Sequence, residues 1–116
     1  MTNEALIRHV FGDFSSKFRI YLSSRKDEVV GYAANSLGCP VLKFLQHEGI
    51  PVVAIDTHSL LVKGSGAPDK DLVGYEIVSE YIQLLDSTHS PLGLPVPVTG
   101  QEALIVLNQI DQLSQT

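Results

Sequence analysis

The spacing of apolar residues at the start of the chain predicts a helix with a weak point near its middle. The apolar stripe consists of residues spaced four apart: Leu6, Val10, Phe14 and Phe18. This spacing places all of them on one face of an α-helix. Gly12 lowers the helix propensity of the middle turn by about 1 kcal/mol relative to alanine. A break near Asp13 therefore remains open.

The segment from residue 27 to residue 37 does not follow one period. Asp27 could cap a short helix, whereas the β-branched Val29 and Val30 would also suit a strand. We predict a helix here, with a strand as the alternative.

The clearest local element extends from Cys39 to Gly49. Pro40 suits the first helical position, where its missing N–H costs nothing, and Gly49 is placed to end the helix in a left-handed conformation. The predicted buried face consists of Val41, Leu42, Phe44 and Leu45. The polar face carries Lys43, Gln46 and His47.

Two short apolar runs follow, and a polar turn separates them. Residues 50–55 predict a buried strand, residues 56–59 a turn, and residues 60–63 a second strand. Such an arrangement is typical of a β-hairpin, although one long strand is the alternative. Residues 64–68 are rich in glycine and predict a flexible connector.

The remainder of the chain predicts two helices with an irregular segment between them. The helical period returns over residues 72–86, whereas residues 87–98 contain three prolines and show no regular pattern. Thr99 and Glu102 have the spacing of a capping box, in which each side chain binds the backbone N–H of the other residue. The helix that follows is predicted to bury Ala103, Leu104, Leu107, Ile110 and Leu113.

The predicted order of elements is helix, helix, hairpin, helix, helix. We therefore expect the α+β class, a mainly helical small domain of about four helices with a central β-hairpin or short sheet. A length of 116 residues predicts one globular domain over residues 1–116, and a hydrophobic share of 44% excludes a disordered chain.

Charge is distributed unevenly along the chain. No lysine or arginine follows Lys70, so residues 71–116 carry a formal charge of −6, whereas residues 1–70 carry +1. The apolar runs are too short to span a bilayer, and no basic residue precedes a long apolar stretch at the N-terminus. We therefore expect a cytoplasmic protein that does not enter the membrane.

Three residues are candidates for catalysis. In an extended segment Asp56 and His58 would share one face, and a carboxylate beside an imidazole could share a metal ion or a proton. The simpler interpretation places both in the hairpin turn. Cys39 could be a nucleophile at a helix N-terminus or, more simply, a small N-cap residue against the core. We expect no metal and no cofactor, because no third ligand has a fixed spacing from Asp56 and His58.

Two sets of charged residues are candidates for binding. Glu76, Glu80 and Gln83 lie on the outer face of the predicted helix 72–86, where no lysine offsets the two carboxylates. They form either a solvated face or a docking surface for a basic protein. Residues 8–26 carry a net charge of +4 and could contact a nucleic-acid backbone, although the net charge of −5 on the whole chain opposes this. The candidates in that region are Arg19, Arg25 and Lys26.

These observations predict a protein-interaction or regulatory module that acts through its surfaces. A homodimer is expected, because acidic and basic regions of two copies can face each other across a two-fold axis. The alternative is a small enzyme or metal-binding protein centred on Asp56 and His58. A weak nucleic-acid binder that uses the basic N-terminal stretch is the third possibility.

Overall fold

The computed structural model describes residues 3–57, 60–63 and 75–114. Those residues form five helices and two antiparallel sheets of two strands each. In chain order the elements are α1 Asn3–Gly12, α2 Phe14–Ser23, β1 Val29–Ala33, α3 Pro40–His47, β2 Val52–Ile55, β3 Leu60–Val62, α4 Tyr75–His89, β4 Val96–Thr99 and α5 Gly100–Ser114. The predicted α+β class is confirmed, with five helices instead of about four because the first apolar stripe is interrupted at Asp13.

The prediction of a helix over residues 27–37 is wrong, because this segment contains strand β1. Its partner β4 lies in the segment predicted to be irregular, and Tyr32 stands opposite Pro97 in the antiparallel pair. At Gly31 the strand passes so close to α3 that a Cβ atom would lie 2.5 Å from the backbone nitrogen of Pro40. A residue with a side chain would not fit there, so the glycine allows the strand to pack against the start of α3.

Strands β2 and β3 form the predicted hairpin. They are antiparallel, with Val52 opposite Val62 and Ile55 opposite Leu60. Of the predicted turn, residues 58 and 59 lie outside the described residues, as do the predicted connector 64–68 and the start of the helix predicted from residue 72. The outer edge of β2 contacts the loop after β1, where the Ile55 N–H donates to the carbonyl oxygen of Ser36 at 2.9 Å.

An aromatic cluster lies in the core where α2, α3 and α4 meet. The ring of Phe18 lies 5.1 Å from that of Phe14, 5.0 Å from that of Phe44 and 5.2 Å from that of Tyr81. The Tyr81 hydroxyl donates to the carbonyl oxygen of Ala103 on α5 at 2.9 Å. Helices α2, α3, α4 and α5 are thus joined through one cluster that combines apolar burial with a satisfied buried hydroxyl.

The predicted helices on either side of the hairpin have the predicted buried faces. All four apolar residues predicted for the inner face of α3 are buried, and Gly49 has a φ of +93° after the helix ends. In α5, the buried residues include Ala103, Leu104, Leu107 and Ile110, whereas the side chain of Leu113 lies outside the described ones.

The capping box at the start of α5 is confirmed in both directions. The Glu102 N–H donates to Thr99 Oγ1 at 3.2 Å, and the Thr99 N–H donates to Glu102 Oε1 at 3.1 Å. The next two N–H groups donate to carbonyl oxygens of the turn before β1, from Gly100 to Glu28 at 2.9 Å and from Gln101 to Lys26 at 3.1 Å. The first N–H groups of α5, which have no partner within the helix, are therefore satisfied by other acceptors.

We expect Thr99→Ala to lower the free energy of unfolding by about 1 kcal/mol, because the Glu102 N–H loses its acceptor. Urea unfolding followed by circular dichroism measures the difference. Thr88→Ala is the matched control, since the Thr88 hydroxyl donates only to carbonyl oxygens of its own helix. That control should change stability by less than about 0.5 kcal/mol. Equal midpoints for the two variants would contradict a role for Thr99 as N-cap.

Candidate functional site

An open groove lies on the surface between α4 and α5. Its volume is about 730 Å³. The lining residues are Glu76, Ile77, Glu80, Gln83, Leu84, Ser87 and Ile110. All but Ile110 belong to α4, so one helix supplies most of the wall and α5 contributes an apolar residue opposite it.

The helical period of α4 explains why these residues share one surface. Glu76, Glu80, Gln83 and Ser87 follow one another at intervals of four, three and four residues, so they form one row along the helix. The row spans about 16 Å at the rise of an α-helix. The three residues predicted from the sequence as a binding face, Glu76, Glu80 and Gln83, therefore lie together along the groove.

The groove combines apolar and acidic lining. Ile77 and Leu84 are half-buried and pack against the core, and Ile110 is almost fully buried. Within the described part of the chain neither Glu76 nor Glu80 takes part in an ion pair. Two like charges one helical turn apart repel each other, by about 0.2–0.5 kcal/mol in isolated helices. The surface therefore suits a molecule that brings positive charge together with an apolar face.

Cys39 is the N-cap of α3 and lies inside the core. Its Sγ accepts a hydrogen bond from the Leu42 N–H at 3.4 Å, and the residue is only 4% exposed. Burial raises the pKa of the Cys39 thiol to about 11, against the lowering effect of the backbone donors. The thiol is therefore protonated at neutral pH, which does not favour nucleophilic attack.

Asp56 follows strand β2 at the surface, and His58 lies outside the described residues. The backbone around Asp56 is tied to α4, because the Tyr75 hydroxyl donates to the Asp56 carbonyl oxygen at 3.2 Å and Ser79 Oγ donates to that of Thr57 at 2.8 Å. Burial, followed by the nearby Asp56 carboxylate, raises the pKa of Tyr75 to about 12. Among the residues that the structure describes, no three His, Cys, Asp or Glu side chains are grouped to hold a metal ion.

Two of the three basic residues predicted to bind nucleic acid have partners within the chain. Arg19 on α2 pairs with Asp111 on α5 and also donates to Asn108 Oδ1 at 3.0 Å. The guanidinium of Arg25 lies 4.1 Å above the ring centre of Tyr21. Lys26 is exposed in the turn before β1. Arg19 therefore links α2 to α5 within the chain, at a position where its side chain remains 38% exposed.

The sequence predicted the acidic residues of the groove but not its apolar lining. Ile77, Leu84 and Ile110 fit the buried faces of their helices. Helical spacing alone does not indicate that Ile77 and Leu84 are only partly buried. The sequence signal for the acidic side of the groove was the lack of any lysine or arginine after residue 70. It leaves Glu76 and Glu80 without either residue on their own helix.

Comparisons with known proteins add no family to this description: no family model, no curated protein and no solved structure matches the chain. In the described ranges, none of the helices has the length and hydropathy that crossing a membrane requires.

Proposed function

We propose that this protein is an interaction module that binds a basic segment of a partner protein in the groove between α4 and α5. The observation that carries the proposal is the pairing of Glu76 and Glu80 with the apolar residues Ile77, Leu84 and Ile110 in one groove. The carboxylates would select a positively charged partner, and the half-buried Ile77 and Leu84 would add apolar contact that leaves water on binding.

The dimensions of the groove favour a helical segment. A row of about 16 Å matches three turns of helix, and two carboxylates one turn apart match two basic side chains at the same spacing. An amphipathic helix that lays its apolar face into a groove is a common mode of peptide recognition. The proposed partner segment thus has an apolar stripe with lysine or arginine beside it.

The other functions have weaker support. The buried Cys39 thiol, with a pKa of about 11, gives little basis for an enzyme that uses it as nucleophile. The ion pair between Arg19 and Asp111 reduces the positive charge available to nucleic acid. A homodimer remains a proposal. The Arg19–Asp111 pair weakens the charge argument for it, because these two opposite charges already meet within one chain.

A fluorescently labelled helical peptide tests the groove directly. The probe is an eighteen-residue peptide with leucine along one face and lysine on both flanks, and its counterpart has glutamate in place of every lysine. We expect the lysine peptide to bind the wild-type protein and to lose affinity as salt concentration rises, since charge steers the contact. In the E76K/E80K variant the preference should reverse toward the glutamate peptide. Fluorescence anisotropy measures all four affinities.

A second double variant controls for the change in net charge. Asp13 and Asp27 are exposed carboxylates that do not line the groove, so D13K/D27K alters the charge equally without altering the groove. We expect D13K/D27K to keep its preference for the lysine peptide. Equal loss of binding in both double variants, or no saturable binding of the lysine peptide to the wild type, would refute the proposed function.

A further inference from the structure

A second, smaller cleft lies on another part of the surface, where α2, β1 and α3 meet. Its volume is about 240 Å³. The side chains that matter here are Tyr21, Arg25, Glu28, Val29, Tyr32 and Lys43. Ligand pockets for drug-sized molecules span about 300–1,000 Å³. The cleft is therefore of a size for a smaller molecule.

Three charged side chains line this cleft without pairing with one another. Arg25 and Lys43 are positive and Glu28 is negative, yet none of the three forms an ion pair within the described residues. Glu28 follows Arg25 by three residues in the turn after α2, and Lys43 comes from α3. Two positive groups and one negative group thus remain available around one small space.

Arg25 is held in place by the protein itself. Its guanidinium stacks over Tyr21 at 4.1 Å, and Nη1 donates to the Tyr21 carbonyl oxygen at 2.9 Å and to Ser24 Oγ at 2.7 Å. The Tyr21 ring is fixed in turn by Phe44, at 5.3 Å between ring centres. The position of the guanidinium is therefore set before any ligand arrives, which reduces the ordering cost of binding.

The apolar part of the cleft comes from β1. Val29 is 56% exposed and Tyr32 is 44% exposed, and both line the cleft beside the charged groups. An aromatic ring could contact Tyr32 and Val29 while charged groups on the same molecule reach the cations and Glu28. The cleft thus offers apolar, positive and negative lining residues together.

We propose that this cleft binds a free α-amino acid with an aromatic side chain. Arg25 and Lys43 would hold the ligand carboxylate, Glu28 would hold its ammonium group, and Val29 and Tyr32 would contact its ring. A simple anion would leave Glu28 without a partner, and a simple amine would leave the two cations without one. A free amino acid carries an ammonium and a carboxylate group bonded to the same carbon atom, so it could pair with all three groups.

Three related molecules distinguish the binding of a free amino acid from the binding of a peptide terminus. L-Phenylalanine has both charges, N-acetyl-L-phenylalanine keeps only the carboxylate of a C-terminal residue, and L-phenylalaninamide keeps only the ammonium of an N-terminal residue. Titration of the full chain is followed by NMR at the backbone amides of Gly31 and Tyr32. We expect L-phenylalanine to bind about tenfold more tightly than either derivative, since each derivative lacks one charge-assisted contact.

Lysine variants supply a matched control. Lys43→Gln should weaken L-phenylalanine binding about tenfold. Lys63→Gln removes a charge that is also exposed but does not line the cleft, and it should leave binding unchanged. Unaltered urea midpoints would show that both variants fold. The proposal would be overturned if the two variants bound L-phenylalanine equally, or if either derivative bound as tightly as L-phenylalanine. The absence of a saturable shift with L-phenylalanine would also overturn it.

Discussion

Gly100→Ala is expected to lower the free energy of unfolding by about 3 kcal/mol or more. A Cβ atom at this position would lie 2.1 Å from the carbonyl oxygen of Arg25 and 2.6 Å from its carbonyl carbon. These are backbone atoms of the turn before β1, so no rotation of a side chain relieves the overlap. The turn would have to move away from α5.

That movement would also break hydrogen bonds. The turn accepts from the first two N–H groups of α5, through the carbonyl oxygens of Glu28 and Lys26. The Gly100 backbone is helical, so alanine meets no conformational strain of its own. The expected loss is therefore a steric effect of one methyl group against the backbone of another segment. Urea unfolding, with the slope and midpoint both fitted, measures it.

Gly12→Ala is the matched control for this change. Gly12 ends α1, and a Cβ atom there would meet nothing within 4 Å. Alanine has the higher helix propensity, so this variant should be as stable as the wild type or more stable by up to about 1 kcal/mol. A similar midpoint for Gly100→Ala and Gly12→Ala would show that the turn does not lie against α5 as described.

Phe18→Ala is expected to lower the free energy of unfolding by about 3–5 kcal/mol. The Phe18 side chain is fully buried and has an edge-to-face contact with Tyr81. Its removal would leave a cavity at the junction of α2, α3 and α4, where Phe14, Phe44 and Tyr81 cannot all move inward. Domains of this kind have a total stability of about 5–15 kcal/mol, so the variant would lose a large part of it.

Ile20→Ala provides the comparison, on the same helix and two residues further along the chain. Ile20 is 72% exposed, so its truncation should change the free energy of unfolding by less than about 0.5 kcal/mol. Both variants are compared by urea unfolding, with circular dichroism and tyrosine fluorescence as independent probes. If Phe18→Ala were as mild as Ile20→Ala, the aromatic cluster would not be the centre of the core.

The predictions that succeeded from sequence rest on interactions between neighbouring residues. The helix after Cys39 was predicted by Pro40 and Gly49, and the start of α5 by the spacing of Thr99 and Glu102. Each of these signals joins residues at most four apart or marks one end of a helix, so nothing distant is needed to interpret it. The acidic row on α4 belongs to the same class, because helical period alone places Glu76 beside Glu80.

What only the tertiary structure decided depends on pairs far apart in the chain. Val29 and Val30 fit a helix or a strand almost equally until β4 pairs with the segment that contains them. Strand β4 contains Pro97, which hides its strand character. The opposite charges of Arg19 and Asp111 are 92 residues apart, in the basic and the acidic regions of the sequence, so no local pattern joins them. Ile110 opposite α4 and Lys43 beside Arg25 became lining residues through the packing of helices. Such contacts are selected by the burial of the whole chain, which no short window of sequence contains.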